Sequence, residues 1–327
     1  MQAVVVFTSG GPEVVRVEEI DRPAPGSGEV LLEVHAAGVN PSDFRGRSGL
    51  ADLPPQYRPS IARPSIPGAD VSGEVIAVGA DVTDLTVGDQ VYGLVRFPPF
   101  DGRGHGRTHA EYVTAPVADL APKPQRLSHI EAAAVPMAAL TAWQQIHRYG
   151  AVEPGERVLV VGAAGGVGHF AVQLARLRGA EVVAVASGRH EKFLRRLGIE
   201  TFIDYTDGDP VEAAGIVDVV IDCVGSVGGV DSARWVSAIA DGGRLVPITL
   251  GFYPPEELSR RGITRVGGQV QSSGADLREL GALFDNGTLT VAIDSAYPLR
   301  DARDAHERGE RGHLQGKIVL TMPASAR

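Results

Sequence analysis

Short apolar runs alternate with glycine- and proline-rich turns from the N-terminus to about residue 122. The segments "EVLLEVHAAGVN", "VSGEVIAVGA", "GDQVYGLV" and "AEYVTAP" have the length and composition of β-strands bounded by turns. Between them, "ADLPPQYRPSIARPSIPG" contains five prolines and is therefore predicted to be a loop. This pattern predicts an all-β part of the chain, typical of a small barrel.

The pattern changes after residue 122. Ser128 and Glu131 have the spacing of a capping box, which predicts the start of a helix. Six continuously apolar runs follow with helical segments among them: "RVLVVG", "EVVAVA", "TFIDY", "VDVVIDCVG", "GRLVPI" and "TRVGGQV". Runs of this kind are typical of buried parallel strands, so residues 123–287 are predicted to form a doubly wound α/β domain. The tail, residues 288–327, returns to a strand pattern and is expected to complete the first domain, residues 1–122.

The first of these strands runs into the glycine-rich turn "GAAGGVG", and the helix "HFAVQLARL" follows. Glycines let the backbone approach a pyrophosphate, and the N-terminus of a helix favours its negative charge. The turn alone is equally compatible with a tight strand-to-helix connection. Its position in a six-strand α/β pattern favours a dinucleotide site at Ala164, Gly165, Gly166 and Val167.

The end of the second strand predicts which dinucleotide is bound. NAD-type sites carry an acidic residue there, which binds the ribose 2′-hydroxyl, whereas this strand ends in Ala186. Ser187, Arg189 and Lys192 follow, and a hydroxyl with two cations suits a 2′-phosphate. The alternative is that both cations are solvated helix residues. The missing acid and the two cations together favour NADPH over NADH.

Composition excludes several classes of protein. The chain has 327 residues and a net charge of −9, which argues against a general nucleic-acid or anionic-membrane binder. A single cysteine, Cys223, rules out disulfides within the chain and a cysteine-rich zinc site. It ends an apolar strand with no activating base nearby, so we expect a buried, inert thiol. No signal peptide or membrane span is evident, and the cytoplasm is the expected location.

Several motifs occur in order along the chain: "AAGVNPSDFRGRSG", "IPGADVSGEVIAVGADVTDLTVGDQVYG", "AEYV", "AAAVPMAALTAWQQI", "VLVVGAAGGVGHFAVQLAR" and "GKIVL". Together they resemble the zinc-independent quinone oxidoreductase branch of the medium-chain dehydrogenase/reductase superfamily. The resemblance implies a GroES-like β-barrel catalytic domain, a Rossmann domain and an NADPH cleft between them. It also implies a homodimer joined through the edges of the Rossmann sheets, with "TRVGGQV" as the candidate edge strand, which would otherwise be exposed.

The same resemblance assigns cofactor roles to individual positions. The 2′-phosphate positions of the family correspond here to Ser187, Lys192 and Tyr205, with Arg189 as an addition. Thr141 matches the residue beside the nicotinamide, and Lys317 of "GKIVL" a position close to the cofactor cleft. Val224 and Gly225 match the turn that lines the cofactor.

The positions that bind catalytic zinc in related dehydrogenases differ in this chain. Zinc-dependent relatives place a cysteine near Asn40 and a His-Glu pair where this chain has Ala69 and Asp70. Catalytic zinc needs three protein ligands, and the pair His105 and His109 in a glycine-rich region offers only two. We therefore expect no metal.

Without a metal, hydride transfer to a quinone or an α,β-unsaturated carbonyl is the expected reaction, because such acceptors spread the developing charge. Asn40 is the first candidate for a contact to substrate or nicotinamide; alternatively it is a turn residue before Pro41. Arg45 stands where the family often has a tyrosine, and it either binds the substrate or points into solvent. Arg58 and Arg63 of the long loop either tune substrate choice or are ordinary surface residues.

Two other functions share these motifs. An enoyl reductase of a biosynthetic pathway would have the same cofactor site and the same metal-free chemistry. A non-catalytic NADPH-binding protein, such as a redox sensor, would bind the cofactor without turnover. Small-molecule acceptors are the expected partners in the two enzymatic interpretations.

Overall fold

The computed structural model describes residues 1–51, 56, 58, 61–98, 106–225 and 231–323. Its strands are β1 (Gln2–Val6), β2 (Val15–Glu19), β3 (Glu29–Val39), β4 (Asp70–Val78), β5 (Gln90–Leu94), β6 (Tyr112–Pro116), β7 (Leu120–Pro122), β8 (Arg157–Val161), β9 (Glu181–Ala186), β10 (Thr201–Asp204), β11 (Val217–Asp222), β12 (Ile239–Pro247), β13 (Thr264–Arg265), β14 (Ile293–Pro298) and β15 (Lys317–Thr321). Its α-helices are α1 (Pro41–Arg47), α2 (His129–Ala133), α3 (Pro136–Gln144), α4 (Gly168–Leu177), α5 (Glu191–Arg196), α6 (Pro210–Ala214), α7 (Pro255–Arg260), α8 (Gly274–Asp285) and α9 (Ala302–Glu310).

The chain separates into two compact units. The first comprises the described residues of Met1–Leu140 and Val270–Arg327, and the second comprises those of Thr141–Gln269. Among the helices of the described ranges, none combines the length and the apolar composition of a membrane span.

A seven-stranded sheet dominates the first unit, as the alternating pattern of its segments predicts. Its order is β14-β15-β3-β4-β5-β7, with β6 paired to β3. The long strand β3 is the centre: it pairs with β4 and β6 along Glu29–Ala36 and with β15 along Ala36–Val39. The inward side chains of β3, β4 and β5 form one core, with Val30, Leu32, Val71, Val91 and others fully buried.

The tail completes this sheet as expected, but it contains a helix that the strand pattern did not reveal. The strands β14 and β15 are parallel, and α9 connects them. A parallel pair needs such a crossover, because the chain must return to the same end of the sheet. Buried alanines of α9, Ala302 and Ala305, pack against Ile318 and Leu320 of β15.

A parallel six-stranded sheet forms the second unit, which confirms the α/β fold class. Its order is β10-β9-β8-β11-β12-β13, and every pairing is parallel. The order reverses between β8 and β11, which makes their carboxyl ends the topological switch point where such sheets bind ligands. The core beneath it includes the fully buried Leu159, Val183, Val220 and Trp235.

The two units differ from the predicted domain boundaries at 122/123 and 287/288. Helix α2 packs on β3 and β4, with Ala133 and Ala134 buried against Ala36 and Val319. Helix α8 packs on β7, and Leu277 O of α8 accepts a hydrogen bond of 2.5 Å from Tyr92. The predicted boundaries lie where the sequence pattern changes. The first compact unit also includes α2 and α8, because these helices bury their apolar faces against its strands.

Candidate functional site

Asn40 lies at the junction between β3 and α1, where Pro41 begins the helix. Its backbone N–H donates to Asp43 Oδ2 at 2.8 Å, which closes the first turn of α1. The amide side chain also makes hydrogen bonds outside this helix. Its Nδ2 donates to Asp70 Oδ2 at 2.9 Å, and its Oδ1 accepts from the Lys317 ammonium. Asn40 is therefore both a turn residue and a member of a buried polar cluster.

Asp70 and Lys317 form the charged centre of this cluster. The Lys317 Nζ lies 3.6 Å from Asp70 Oδ2 and donates to Val39 O at 3.2 Å. The second carboxylate oxygen, Asp70 Oδ1, accepts from Met137 N at 2.7 Å. Burial raises the pKa of Asp70, which the charge of Lys317 opposes, and burial lowers the pKa of Lys317, which the charge of Asp70 opposes. Lys317 thus lies beside Asn40, and its place near a cofactor stays a prediction.

Gly38 of β3 makes room for this pair. A Cβ at this position would lie 2.6 Å from Asp70 Oδ2 and 2.6 Å from Ala133 O. A glycine is therefore required where β3 passes the carboxylate. Its carbonyl oxygen also lies 3.1 Å from His109 Nε2.

The described residues contain no group of three or more histidine, cysteine or acidic side chains placed to hold a metal ion. Ala69, at one of the zinc-ligand positions of related dehydrogenases, has no ligating atom in its side chain. His109 is fully buried with its Nε2 3.9 Å from Asp43 Oδ2, and His105 lies outside the described residues. The chemistry of this donor set suits hydrogen bonding rather than zinc coordination.

Two arginines of the proline-rich loop donate hydrogen bonds to backbone carbonyl oxygens of the first unit. Arg63 donates to Gly46 O at 2.6 Å and to Arg47 O at 3.0 Å, so it holds the C-terminal end of α1. Arg58 donates to Ala51 O at 2.8 Å. Arg45 is half-buried on α1. The role of Arg45 toward a substrate stays a prediction.

The glycine-rich turn between β8 and α4 has the backbone that a phosphate-binding turn needs. Gly162 has φ +75°, in the region that favours glycine, and a Cβ on Gly168 would lie 2.1 Å from Gly162 O. Helix α4 can therefore pack closely on β8 only because Gly168 has no side chain. The N-cap residue of α4 is Val167, whose side chain makes no capping bond. Helix starts carry N–H groups without intrahelical partners, so this end suits an anion.

The residues predicted for the 2′-phosphate follow the ends of the neighbouring strands β9 and β10. Ser187, Arg189 and Lys192 follow β9 directly, and Arg189 and Lys192 are exposed. Tyr205 N donates to Ala186 O at 3.2 Å, so the backbone of Tyr205 lies beside the end of β9. Arg189 Nε donates to His190 Nε2 at 3.1 Å.

Sequence reasoning missed an acidic residue at this place. The carboxylate of Asp204, at the end of β10, covers Gly188, where a Cβ would lie 2.2 Å from Asp204 Oδ2. The segment "TFIDYT" contains the acid, but only the pairing of β10 with β9 reveals its neighbours.

Val224 and Gly225 follow β11 at the switch point, and their role in lining the cofactor stays a prediction. Val224 packs over the start of the glycine turn, because a Cβ on Gly162 would lie 2.7 Å from Val224 Cγ2. The turn is held by the fully buried Asp222, whose Oδ1 accepts from Val224 N at 2.9 Å and Gly225 N at 2.8 Å. Asp222 Oδ2 accepts from the Tyr253 hydroxyl at 2.8 Å.

Sequence reasoning also missed the pair Asp222 and Tyr253. The signal for Asp222 is an acid inside an apolar strand, "VIDCVG", since a buried carboxylate needs donors around it. The neighbouring Cys223 is only half-buried, whereas the sequence predicted a buried thiol, and desolvation still raises the pKa of this thiol. Thr141 is buried on α3, and its role beside the nicotinamide stays a prediction.

Comparison with known proteins identifies the family. Residues 26–125 match the profile described as alcohol dehydrogenase GroES-like domain, and residues 197–320 match that described as zinc-binding dehydrogenase. The chain is 33% identical to the NADPH-dependent alkenal/one oxidoreductase, chloroplastic, of Arabidopsis thaliana, over 98% of this chain and 79% of the relative. It is 32% identical to the mitochondrial NAD(P)H oxidoreductase RTN4IP1 of Mus musculus, over 90% of this chain and 82% of the relative.

The fold agrees with the same family. The solved structure of the quinone oxidoreductase from Coxiella burnetii superimposes with a TM-score of 0.86 at 33% identity, covering 99% of each chain. At this coverage the match extends over both units. The chain belongs to the quinone oxidoreductase branch of the medium-chain dehydrogenase/reductase superfamily.

Proposed function

We propose that this chain is an NADPH-dependent oxidoreductase that transfers hydride, without zinc, to a quinone or an α,β-unsaturated carbonyl. Its family and the names of its relatives support an oxidoreductase that uses a nicotinamide cofactor. The observation that carries the metal-free chemistry is the closed network of Asn40, Asp70 and Lys317. Both carboxylate oxygens of Asp70 already accept hydrogen bonds from within the protein.

The network also supplies its own cation. Lys317 brings one positive charge to a carboxylate that is shielded from water, and buried charges persist in proteins when they are paired in this way. A zinc ion bound by Asp70 would have to displace Asn40, Met137 N or Lys317 from it. Metal analysis of the purified protein should find less than one zinc per chain, and chelators should leave turnover intact. Stoichiometric zinc whose removal abolishes turnover would refute this part of the proposal.

The second unit contains the residues that would hold the cofactor. Ala164–Val167 and the first turn of α4 would bind the pyrophosphate through backbone N–H groups. Ser187, Arg189, Lys192 and Tyr205 would hold the 2′-phosphate. Val224, Gly225 and Thr141 would line the nicotinamide end. Lys317, a residue of the first unit, is assigned to the cofactor by the resemblance alone. When bound, NADPH supplies hydride transfer, which needs no further redox group in the protein.

Asn40 and Arg45 are the groups we assign to the substrate side. The Asn40 Nδ2 carries two hydrogens, and Asp70 accepts one of them. We propose that the other is donated to the substrate carbonyl or to the nicotinamide amide. The Arg45 guanidinium would stabilise negative charge that develops on the acceptor oxygen. A conjugated acceptor spreads that charge, so hydrogen-bond donors and a proton from solvent suffice.

An acceptor panel tests the reaction. NADPH oxidation is measured with 1,4-benzoquinone, 9,10-phenanthrenequinone, short enones and an enoyl thioester, and products are identified by mass. Reduction of quinones or enones supports the proposal. Alkene reduction of thioester-type enoyl substrates alone would favour the enoyl reductase, and NADPH binding without turnover of any acceptor would favour the sensor.

Arg45→Ala tests the substrate role of the guanidinium. We expect kcat/KM to fall about tenfold or more, which corresponds to about 1.4 kcal/mol of lost transition-state stabilisation. Arg300→Ala is the matched control, because this side chain is 79% exposed on the surface of the same unit. Equal activity of the two variants would remove Arg45 from the mechanism.

We also propose a homodimer formed through β13 and a location in the cytoplasm. Within the described residues β13 pairs on one side only, with β12, and both of its residues are exposed. The exposed side chains of Leu250 and Phe252 add apolar surface to the same unit. Light scattering should give twice the chain mass, and Thr264→Pro should shift it toward the monomer because proline removes a strand donor. A wild-type monomer at micromolar concentration would refute the dimer.

A further inference from the structure

The sequence of β9 ends without an acidic residue. In the fold, the neighbouring strand β10 places Asp204 at this end of the sheet. Strands β9 and β10 are parallel neighbours, and their register pairs Asp204 with Ala186. Ala186 is the residue at which NAD-type Rossmann sites place the acid that binds the ribose 2′-hydroxyl. Asp204 therefore occupies the same level of the sheet as that acid, one strand away.

The Asp204 carboxylate points toward Gly188, in the segment that follows β9. Gly188 lies between Ser187 and Arg189, and a Cβ on it would lie 2.2 Å from Asp204 Oδ2 and 3.1 Å from Asp204 Cγ. Any other residue at position 188 would displace the Asp204 carboxylate from its present position. Gly188 thus gives the carboxylate access to the backbone between the two predicted phosphate ligands.

Local hydrogen bonds hold Asp204 in this position and keep it charged. Its Oδ1 accepts from Thr206 N at 2.9 Å and from the Thr206 hydroxyl at 2.7 Å. The Thr206 side chain, the Thr206 backbone and the Gly188 backbone lower the pKa of Asp204. A fixed negative charge therefore sits at the place where two cations, Arg189 and Lys192, favour a 2′-phosphate.

We infer that Asp204 is a specificity-determining residue, which weakens the binding of a 2′-phosphorylated nucleotide relative to one with a free 2′-hydroxyl. The inference rests on the proposed NADPH site. Carboxylate and phosphate repel each other, while a carboxylate accepts a hydrogen bond from a ribose hydroxyl. The site consequently combines the cations of an NADPH enzyme with the acid of an NADH enzyme, and Asp204 limits its preference for NADPH.

Calorimetric binding of 2′,5′-ADP and of 5′-AMP to the full chain tests this without turnover. The two nucleotides differ only in the 2′-phosphate, so the ratio of their Kd values isolates its contribution. Asp204→Asn should raise the preference for 2′,5′-ADP by roughly twofold to fivefold, the size expected when one exposed charge contact is removed. Asp204→Ser, which is also neutral, should shift the ratio in the same direction.

Thr206→Val is the matched control. It removes one hydrogen bond to Asp204 and keeps the charge, so the ratio should stay at the wild-type value. If Thr206→Val changes the ratio as much as Asp204→Asn, the carboxylate only anchors the loop and the inference is wrong. An unchanged or lower preference in both neutral variants, with wild-type binding of both nucleotides intact, also refutes it. Wild-type protein that binds neither nucleotide refutes the proposed cofactor site and the inference with it.

Discussion

Protonation of His306 should destabilise the first unit in mild acid. His306 lies on α9, fully buried, with its Nδ1 3.1 Å from Arg47 Nη1. The arginine is a donor, so Nδ1 accepts and the ring is neutral with its hydrogen on Nε2. Protonating Nδ1 would place two cations in contact away from water. Burial, with the charges of His109 and Arg47, lowers the pKa of His306 to about 3.

The magnitude follows from proton linkage. A histidine in the unfolded chain has a pKa of about 6.5, so between about pH 6.5 and pH 3 the unfolded state binds more protons than the folded state. The stabilisation is complete above pH 6.5 and is lost as the pH falls toward 3. From about pH 6.5 to pH 5 the loss is about 1.5 pH units at about 1.36 kcal/mol each, or about 2 kcal/mol.

The assay is urea unfolding followed by circular dichroism at about pH 7 and pH 5. His306→Gln keeps an acceptor for Arg47 and does not titrate, so its free energy of unfolding should fall by about 2 kcal/mol less than that of the wild type over this range. His313→Asn, at an exposed histidine, should behave as the wild type. Equal losses in the wild type and His306→Gln would refute the reasoning.

Three further predictions concern the glycine turn, the buried ion pair and the thiol. Gly168→Ala should lower the free energy of unfolding by about 1–3 kcal/mol, since its Cβ would lie 2.1 Å from Gly162 O; an unchanged urea midpoint would contradict this. Lys317→Met should cost about 3–5 kcal/mol because it leaves the Asp70 carboxylate buried and unpaired, and adding Asp70→Asn should restore part of it in the same assay. Cys223 should react with a thiol reagent much more slowly in the native protein than in the unfolded chain, because desolvation raises the pKa of this half-buried thiol; equally rapid reaction of the native protein would contradict this.

The sequence by itself determined the elements and the kind of ligand. Strand alternation, six apolar runs and the glycines of "GAAGGVG" are local patterns, and local backbone preferences and burial translate them directly into β-strands, a parallel sheet and a turn that suits a phosphate. The cations after β9 are likewise adjacent in sequence, so their common position could be predicted. Helix α9 was missed because its pattern of charges, "RDARDAHERGE", hides a narrow face of small apolar residues.

The chemistry of the site was decided by tertiary structure. Asn40, Asp70 and Lys317 come from distant parts of the chain, and only the pairing of β3 with β4 and β15 brings them within hydrogen-bond distance. The register of β10 against β9 likewise places Asp204 where the sequence of β9 shows no acid. Which side chains share a buried space depends on strand order and register, and these are set by long-range burial of apolar surface rather than by neighbouring residues.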